Sequence, residues 1–156
     1  MIVLLMGVAG VGKTTIGEAL ARELGWRFID ADDYHPPQNV AKMKAGIPLN
    51  DEDRWPWLAR LNKLLRDETD AVLACSALKA AYRERLAQGV ADFTTVYLHG
   101  SSELIRARIA ARKHRYMPAA LLDSQLATLE PPADAISIDV AGSPEESVAA
   151  IAARLS

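Results

Sequence analysis

Apolar residues dominate five short segments along the chain: Ile2–Met6, Trp26–Ile29, Val72–Cys75, Thr94–Leu98 and Ile136–Val140. Short segments of this kind, separated by helical patterns, predict the strands of a parallel sheet covered on both faces. The segments between them change to a three-to-four spacing. Thr15–Leu24 carries Ile16, Ala19 and Leu20 on one stripe, and Asp51–Arg66 carries Trp55, Leu58, Leu61 and Leu65. For the second helix Asp51 or Asp53 is the expected cap, with Pro56 still inside the first turn. Ser101 or Ser102 can cap a helix through Leu104, Ile105 and Ile109. The last helix has the clearest start, with Ser143 as cap, Pro144 first and Glu146 third, a capping box ahead of Val148, Ile151 and Leu155. Strands alternating with helices predict an α/β fold, a five-stranded parallel sheet flanked by helices.

Two stretches fit the alternation poorly. Asp30–Asn50 is polar and proline-containing, and Lys113–Pro132 runs through Met117-Pro118 to Pro131-Pro132. Both follow strand-to-helix regions, where open parallel sheets bind ligands, and are expected to form a substrate-binding segment and a lid.

Composition narrows the setting. At 156 residues the chain is sized for one domain. A formal charge of −2 argues against a nucleic-acid binder. The basic residues cluster at Arg106, Arg108, Arg112, Lys113, His114 and Arg115, either a phosphate clamp or a solvated helix face. The one cysteine, Cys75, lies in an apolar run and reads as a buried small hydrophobe. Neither a signal peptide nor a membrane span is read in the chain, so the expected location is the cytoplasm, with no membrane partner.

The chemistry is concentrated behind the first strand. Gly7-Val8-Ala9-Gly10-Val11-Gly12-Lys13-Thr14 matches G-x-x-x-x-G-K-[ST], a loop whose backbone N–H groups surround nucleotide phosphates at a helix N-terminus. Lys13 can reach the β/γ-phosphates, Thr14 supplies a hydroxyl for Mg²⁺, and Thr15 continues into the helix. This phosphate-binding loop permits a phosphotransferase, a GTPase or a mechanical ATPase. Guanine recognition by Asn-Lys-x-Asp is lacking, since Asn62-Lys63-Leu64-Leu65 has no aspartate and lies in a helical pattern. Asp139-Val140-Ala141-Gly142 reads as a strand end and turn. The third strand ends Ala74-Cys75-Ser76 without the acid of a conventional Walker B segment, which favours a small kinase.

The expected acid lies in Asp30-Ala31-Asp32-Asp33-Tyr34-His35-Pro36, where a carboxylate can orient an acceptor alcohol. The same residues also suit a turn and a helix cap. His35 is either a ligand contact or a ring packed on its neighbours. Arg54 is either a fork for a substrate carboxylate or the partner of Asp51 or Asp53.

Taken together, Gly7–Thr15, Asp30-Ala31-Asp32 with His35-Pro36 and Asn39, Lys42-Met43, Gly46-Ile47-Pro48-Leu49, Asp53-Arg54 and Pro56-Trp57-Leu58 follow a recognisable order. Cys75-Ser76-Ala77-Leu78-Lys79, Tyr82-Arg83, Ser124-Gln125 and Leu129-Glu130-Pro131 continue it. The chain resembles the gluconate kinase family of small P-loop kinases. The resemblance implies a P-loop kinase fold over residues 1–156, with a substrate-binding insertion around 30–60 and a lid around 112–130. It implies transfer of the ATP γ-phosphoryl group to the 6-hydroxyl of D-gluconate, with ATP and Mg²⁺ as cofactors and a homodimer as the assembly. Lys13, Asp32 and Arg112 take the catalytic positions, with Thr14 and Asp32 at the metal. Residues Gly7, Val8, Ala9, Gly10, Val11, Gly12, Lys13, Thr14, Thr15, Arg108 and Arg112 take the nucleotide positions, and Asp32, His35, Arg54 and Arg83 those of the substrate. His114-Arg115-Tyr116 departs from the family's Gly-His-Phe before Met117-Pro118. Ala9 and Val11 stand where serines are frequent. Another sugar-acid or shikimate kinase, or a nucleotide-dependent regulatory protein, are the rival readings.

Overall fold

The computed structural model describes residues 1–111 and 119–155. Five parallel strands are ordered β2-β3-β1-β4-β5. They are β1 (Ile2–Met6), β2 (Arg27–Asp30), β3 (Ala71–Ala74), β4 (Phe93–His99) and β5 (Ile136–Asp139). The helices are α1 (Lys13–Leu24), α2 (Pro37–Lys44), α3 (Asp51–Arg66), α4 (Ala80–Ala87), α5 (Ser102–Ala111), α6 (Ala119–Thr128) and α7 (Pro144–Leu155). A 3₁₀ turn, Ala31–Tyr34, follows β2 directly.

Every residue of β1 is buried because its two faces enter two different cores. Val3 and Leu5 point to one side, against Ile16 and Leu20 of α1 and Val148 and Ile151 of α7. Ile2, Leu4 and Met6 point to the other, against Leu58, Leu61 and Leu65 of α3 and Tyr82 and Leu86 of α4. A period-two strand covered by helices on both faces has no polar position, hence the unbroken apolar run. β1 also lies between β3 and β4, and the strand order reverses around it, which opens a crevice at its carboxyl end.

The strand boundaries shift for identifiable reasons. The run Trp26–Ile29 yields a strand at Arg27–Asp30 because the Trp26 N–H is already donated to Ala21 O at 2.9 Å. Gly25, in the left-handed region at φ 71°, donates to Arg22 O and completes the Schellman closure of α1. β3 starts one residue early, at Ala71, although Cys75 N–H still donates to Leu5 O at 3.0 Å. β4 gains a residue at each end relative to Thr94–Leu98.

The start of α3 is a correction. Neither Asp51 nor Asp53 is the cap. Asn50 is: its Oδ1 accepts from the Asp53 N–H at 2.8 Å, while Asp53 Oδ2 accepts from the Asn50 N–H at 3.0 Å. Pro56 is the sixth residue of α3, beyond the first turn, and the Glu52 carbonyl it leaves without an intrahelical donor lies on the exposed side. The caps at Ser101 and Ser143 form as expected, with Ser101 Oγ accepting from Leu104 N–H and Ser143 pairing reciprocally with Glu146. The two stretches that resisted the alternation contain the short helices α2 and α6. Residues 112–118 of the expected lid, Arg112 among them, lie outside the described residues. Among the described residues no helix is long and apolar enough to cross a membrane.

Asn62, which resembles one letter of a guanine-recognition motif, is a structural residue. Buried on α3, its amide donates to Leu86 O at 2.9 Å and Gln88 O at 2.7 Å, closing the carboxyl end of α4. Asn62→Ala is expected to lower stability by about 2 kcal/mol, since two hydrogen bonds are lost and the Leu86 carbonyl stays in a buried residue. Urea unfolding should show a lower midpoint at unchanged m-value; an unchanged midpoint refutes this role.

Candidate active site

The loop between β1 and α1 turns on its glycines. Gly7 has φ 153°, and a Cβ there would lie 2.5 Å from Leu98 O, so only glycine lets the loop leave β1 this close to β4. Gly12 precedes α1 in the left-handed region at φ 93°. The first-turn N–H groups of α1 therefore open toward the loop's concave side, the arrangement that binds anions. Lys13 Nζ lies over the loop, donating to Gly7 O at 2.8 Å and Val8 O at 3.0 Å.

In front of the loop lies a cleft of about 300 Å³. Gly10, Gly12, Lys13 and Thr14 line it from the loop, and Asp30, Asp32 and His35 line it from the segment at the end of β2. Arg54 comes in from α3, while Gln125 and Thr128 of α6 close a third side. Residues far apart in the chain thus meet around one space. Asp32 sits on the 3₁₀ turn, its N–H donating to Asp30 Oδ1 at 3.0 Å. Asp33 is exposed and does not reach the cleft. The turn is anchored from behind by Trp57, whose indole N–H donates to Ala31 O at 2.8 Å. His35 is buried, stacked on Trp57 at 4.0 Å between centroids.

Arg54 has no carboxylate within ion-pair distance among the described residues, so its expected alternative as a partner of Asp51 or Asp53 is not realised. Its Nη1 donates to the Tyr82 hydroxyl at 3.0 Å, and its guanidinium lies 5.1 Å from the Tyr82 ring centre. The Tyr82 hydroxyl in turn donates to Asp51 Oδ1, which also accepts from Lys79 at 3.3 Å. The hydroxyl holds the Asp51 carboxyl below the ordinary range, and burial followed by the Asp51 bond pushes the Tyr82 phenol up. Asp53 is occupied elsewhere: it accepts two bonds from Lys42, which lower its pKa most.

Two other arginines divide differently. Arg108 of α5 donates to Val140 O and lines a second, smaller hollow with Thr15, Pro144 and Ser147. Gly10 and Gly12 border both hollows, so Arg108 lies behind the phosphate loop from Asp32. Arg83 is not brought to the cleft: it donates to Ala77 O at 2.8 Å and Glu130 O at 2.9 Å, tying α4 to the chain after α6.

Sequence reasoning assigned no role to Gln125, Asn39 or Tyr82. Gln125 Oε1 accepts from the Ala9 N–H at 2.7 Å, joining α6 to the phosphate loop across 116 residues of sequence. Asn39 is fully buried between His35 and α3. All three stand in the quoted blocks, but their partners are remote in sequence, so nothing local marks what they hold.

The chain is similar to known proteins over most of its length. A model of the AAA domain family matches residues 2–132. The chain is 48% identical to a gluconokinase of Gluconobacter oxydans (strain 621H), over 83% of this chain and 75% of that protein. It is also 48% identical to a protein named probable gluconokinase from Xenopus tropicalis, over 90% of this chain and 85% of the other. The crystal structure of a gluconokinase from Sinorhizobium meliloti 1021 superposes with a TM-score of 0.91 at 43% identity, covering 98% of this chain and 91% of that one.

Cys75 borders the cleft floor as the buried hydrophobe expected of it, and burial pushes its thiol up to about 12. At pH 8 the thiolate fraction is then of order 10⁻⁴. Native protein at that pH should leave Cys75 unmodified by a disulfide reagent such as DTNB and react fully once unfolded in urea. Stoichiometric reaction of the native protein within minutes contradicts this.

Proposed function

The chain belongs to the gluconokinase family of P-loop kinases, and from that premise we propose how its residues divide the work of phosphorylating gluconate. The reaction transfers the ATP γ-phosphoryl group to the 6-hydroxyl of D-gluconate, giving 6-phospho-D-gluconate and ADP. The observation that carries the assignment of roles is the meeting of Lys13, Thr14, Asp32 and Arg54 around one cleft.

In Gly7–Thr15 the Gly7 and Ala9 N–H groups are donated to Ser76 O and Gln125 Oε1, and the others bind the phosphates, with Lys13 as the cation at the β/γ-oxygens. Its bonds to Gly7 O and Val8 O keep the amine over the loop, poised to exchange carbonyl partners for phosphate. Arg108, beside the second hollow, serves the nucleotide's outer part. The donors fit Mg²⁺, which binds through few protein oxygens together with phosphate and water: Thr14 offers a hydroxyl, and Asp32 a carboxylate across the same cleft. When bound, the ion neutralises charge on the β/γ-oxygens.

Asp32 lines the same cleft as the phosphate loop, which supports its role at the alcohol that attacks the phosphoryl group in line. Its carboxylate accepts the hydrogen bond of the 6-hydroxyl, directs an oxygen lone pair at the phosphorus, and takes the proton as the bond forms. Arg54 binds the carboxylate at the other end of gluconate. Tyr82 holds one guanidinium nitrogen and the Tyr82 ring supports its plane, so the fork is set before substrate arrives. Anchoring at both ends fixes which hydroxyl meets the phosphoryl group.

Asp32→Asn is expected to lower kcat by about 100-fold or more with little change in the KM for ATP, and Asp33→Asn far less. Steady-state assay of both variants decides: equal, small losses reduce Asp32 to a turn residue. Arg54→Lys should raise the gluconate KM by about 10-fold or more, because one ammonium cannot reproduce a bidentate fork. The KM for ATP should move much less. Paired titrations of gluconate and ATP check this, with glucose as the acceptor lacking a carboxylate; an effect confined to ATP removes Arg54 from the substrate site.

A further inference from the structure

Behind Asp32 lies a line of buried polar contacts that the phosphoryl-transfer scheme does not use. The Asn39 side chain, wholly enclosed on α2, donates from Nδ2 to Asp53 O at 2.8 Å. The same Nδ2 lies 3.2 Å from His35 Nδ1. On its other edge, His35 Nε2 lies 3.6 Å from Asp32 Oδ1. The imidazole is 2% exposed and stacked on Trp57, so it cannot turn to present another edge.

These contacts determine which ring nitrogen bears the proton. Exchanging the amide oxygen and nitrogen of Asn39 would set one acceptor against another at Asp53 O, so the NH₂ group must face that carbonyl. Its second hydrogen then points at His35 Nδ1, which must offer a lone pair. A neutral imidazole with a bare Nδ1 carries its proton on Nε2, the edge turned toward Asp32. We propose that Asn39 and His35 are positioning residues for the phosphoryl transfer: Asn39 fixes the Nε2–H tautomer of His35, and that N–H orients the Asp32 carboxylate toward the acceptor hydroxyl.

The proposal rests on the role assigned to Asp32 above. A neutral N–H donor suits that role because it steers the carboxylate without cancelling its charge, as a lysine or arginine in the same place would. The separation of 3.6 Å is beyond hydrogen-bond range, and the proposed contact requires it to shorten when substrate binds. Catalytic contacts commonly tighten in this way once substrate is present. Asn39 Oδ1 is buried with no hydrogen-bond partner, alone in this among the described side chains. A side chain serving packing alone does better with both ends satisfied. Here the donor end is used twice and the acceptor end is left over, as expected where the required function is donation to Nδ1.

The first test reads the tautomer directly in the wild-type protein, with ring-¹⁵N-histidine and proton–nitrogen correlation spectra at about pH 8, above the ordinary imidazole range. The His35 signal should show a protonated Nε2 and a bare Nδ1. A proton on Nδ1, or on both nitrogens, overturns the proposal and needs no variant to fold. The second test uses side chains that mimic one nitrogen each. His35→Gln places an amide near Nε2 and should keep kcat within about 10-fold, whereas His35→Asn reaches only the Nδ1 position and should lose about 100-fold, both with little change in KM. In an Asp32→Asn background His35→Asn should cost little more, because its effect passes through the carboxylate. Equal losses for Gln and Asn, or a loss that adds in full to that of Asp32→Asn, overturn the proposal. Normal turnover by Asp32→Asn alone is instead the failure of the role given to Asp32, while an Nδ1–H tautomer in an enzyme that needs Asp32 is the failure of this proposal.

Discussion

The enclosure of β1 is the constraint from which the site follows. A strand packed into a core on each face and hydrogen-bonded along both edges has one way out, at its carboxyl end beside β3 and β4. The chain must turn there at once, within contact of the Leu98 carbonyl, and Gly7 makes that turn possible. α1 then starts with its N–H groups facing back toward the sheet. A polar, anion-seeking loop is thereby held at the end of a strand enclosed on both faces, where its donors are oriented before nucleotide arrives.

The segment at the end of β2 is held by another principle. The turn carrying Asp32 and the helix carrying Arg54 do not rest on strand pairing but on side chains reaching between short elements. Trp57 holds the Ala31 carbonyl, Asn39 bridges His35 and α3, Lys42 holds Asp53, and Tyr82 joins Arg54 to Asp51. Buried or half-buried, these contacts fix the acceptor side relative to the phosphate side. Gln125 supplies the remaining link, tying α6 to the Ala9 N–H of the phosphate loop. Arg83, which resemblance places with the substrate, is engaged in securing the chain after α6.

Where sequence and structure diverge, the cause is tertiary. α2 was obscure as a periodic helix because it buries little of a continuous apolar stripe; Asn39 is its buried residue. The cap of α3 fell on Asn50 because Asp53 is needed three residues later, where it closes the capping box and also accepts from Lys42. Arg54 was ambiguous between a local ion pair and a ligand fork. Spacing could not choose, since Tyr82, which takes the place of a carboxylate beside it, is 28 residues away in another helix.

By itself the sequence determined the α/β class, the position of the phosphate-binding loop, the acidic segment at the end of β2, and the capping of the last helix. Each is written locally: a fully apolar run, a fixed glycine–lysine–threonine spacing, and a serine three residues before a glutamate act over a few neighbouring residues. Only the tertiary structure decided that Arg54 leans on Tyr82, that Arg83 bonds to the Ala77 and Glu130 carbonyls, and that Asn39 lies against His35. Those outcomes depend on which side chains of separate helices meet when both faces of the sheet are covered. Hydrogen bonds between such residues have no period and no preferred spacing in the chain, so they are settled only when the elements pack.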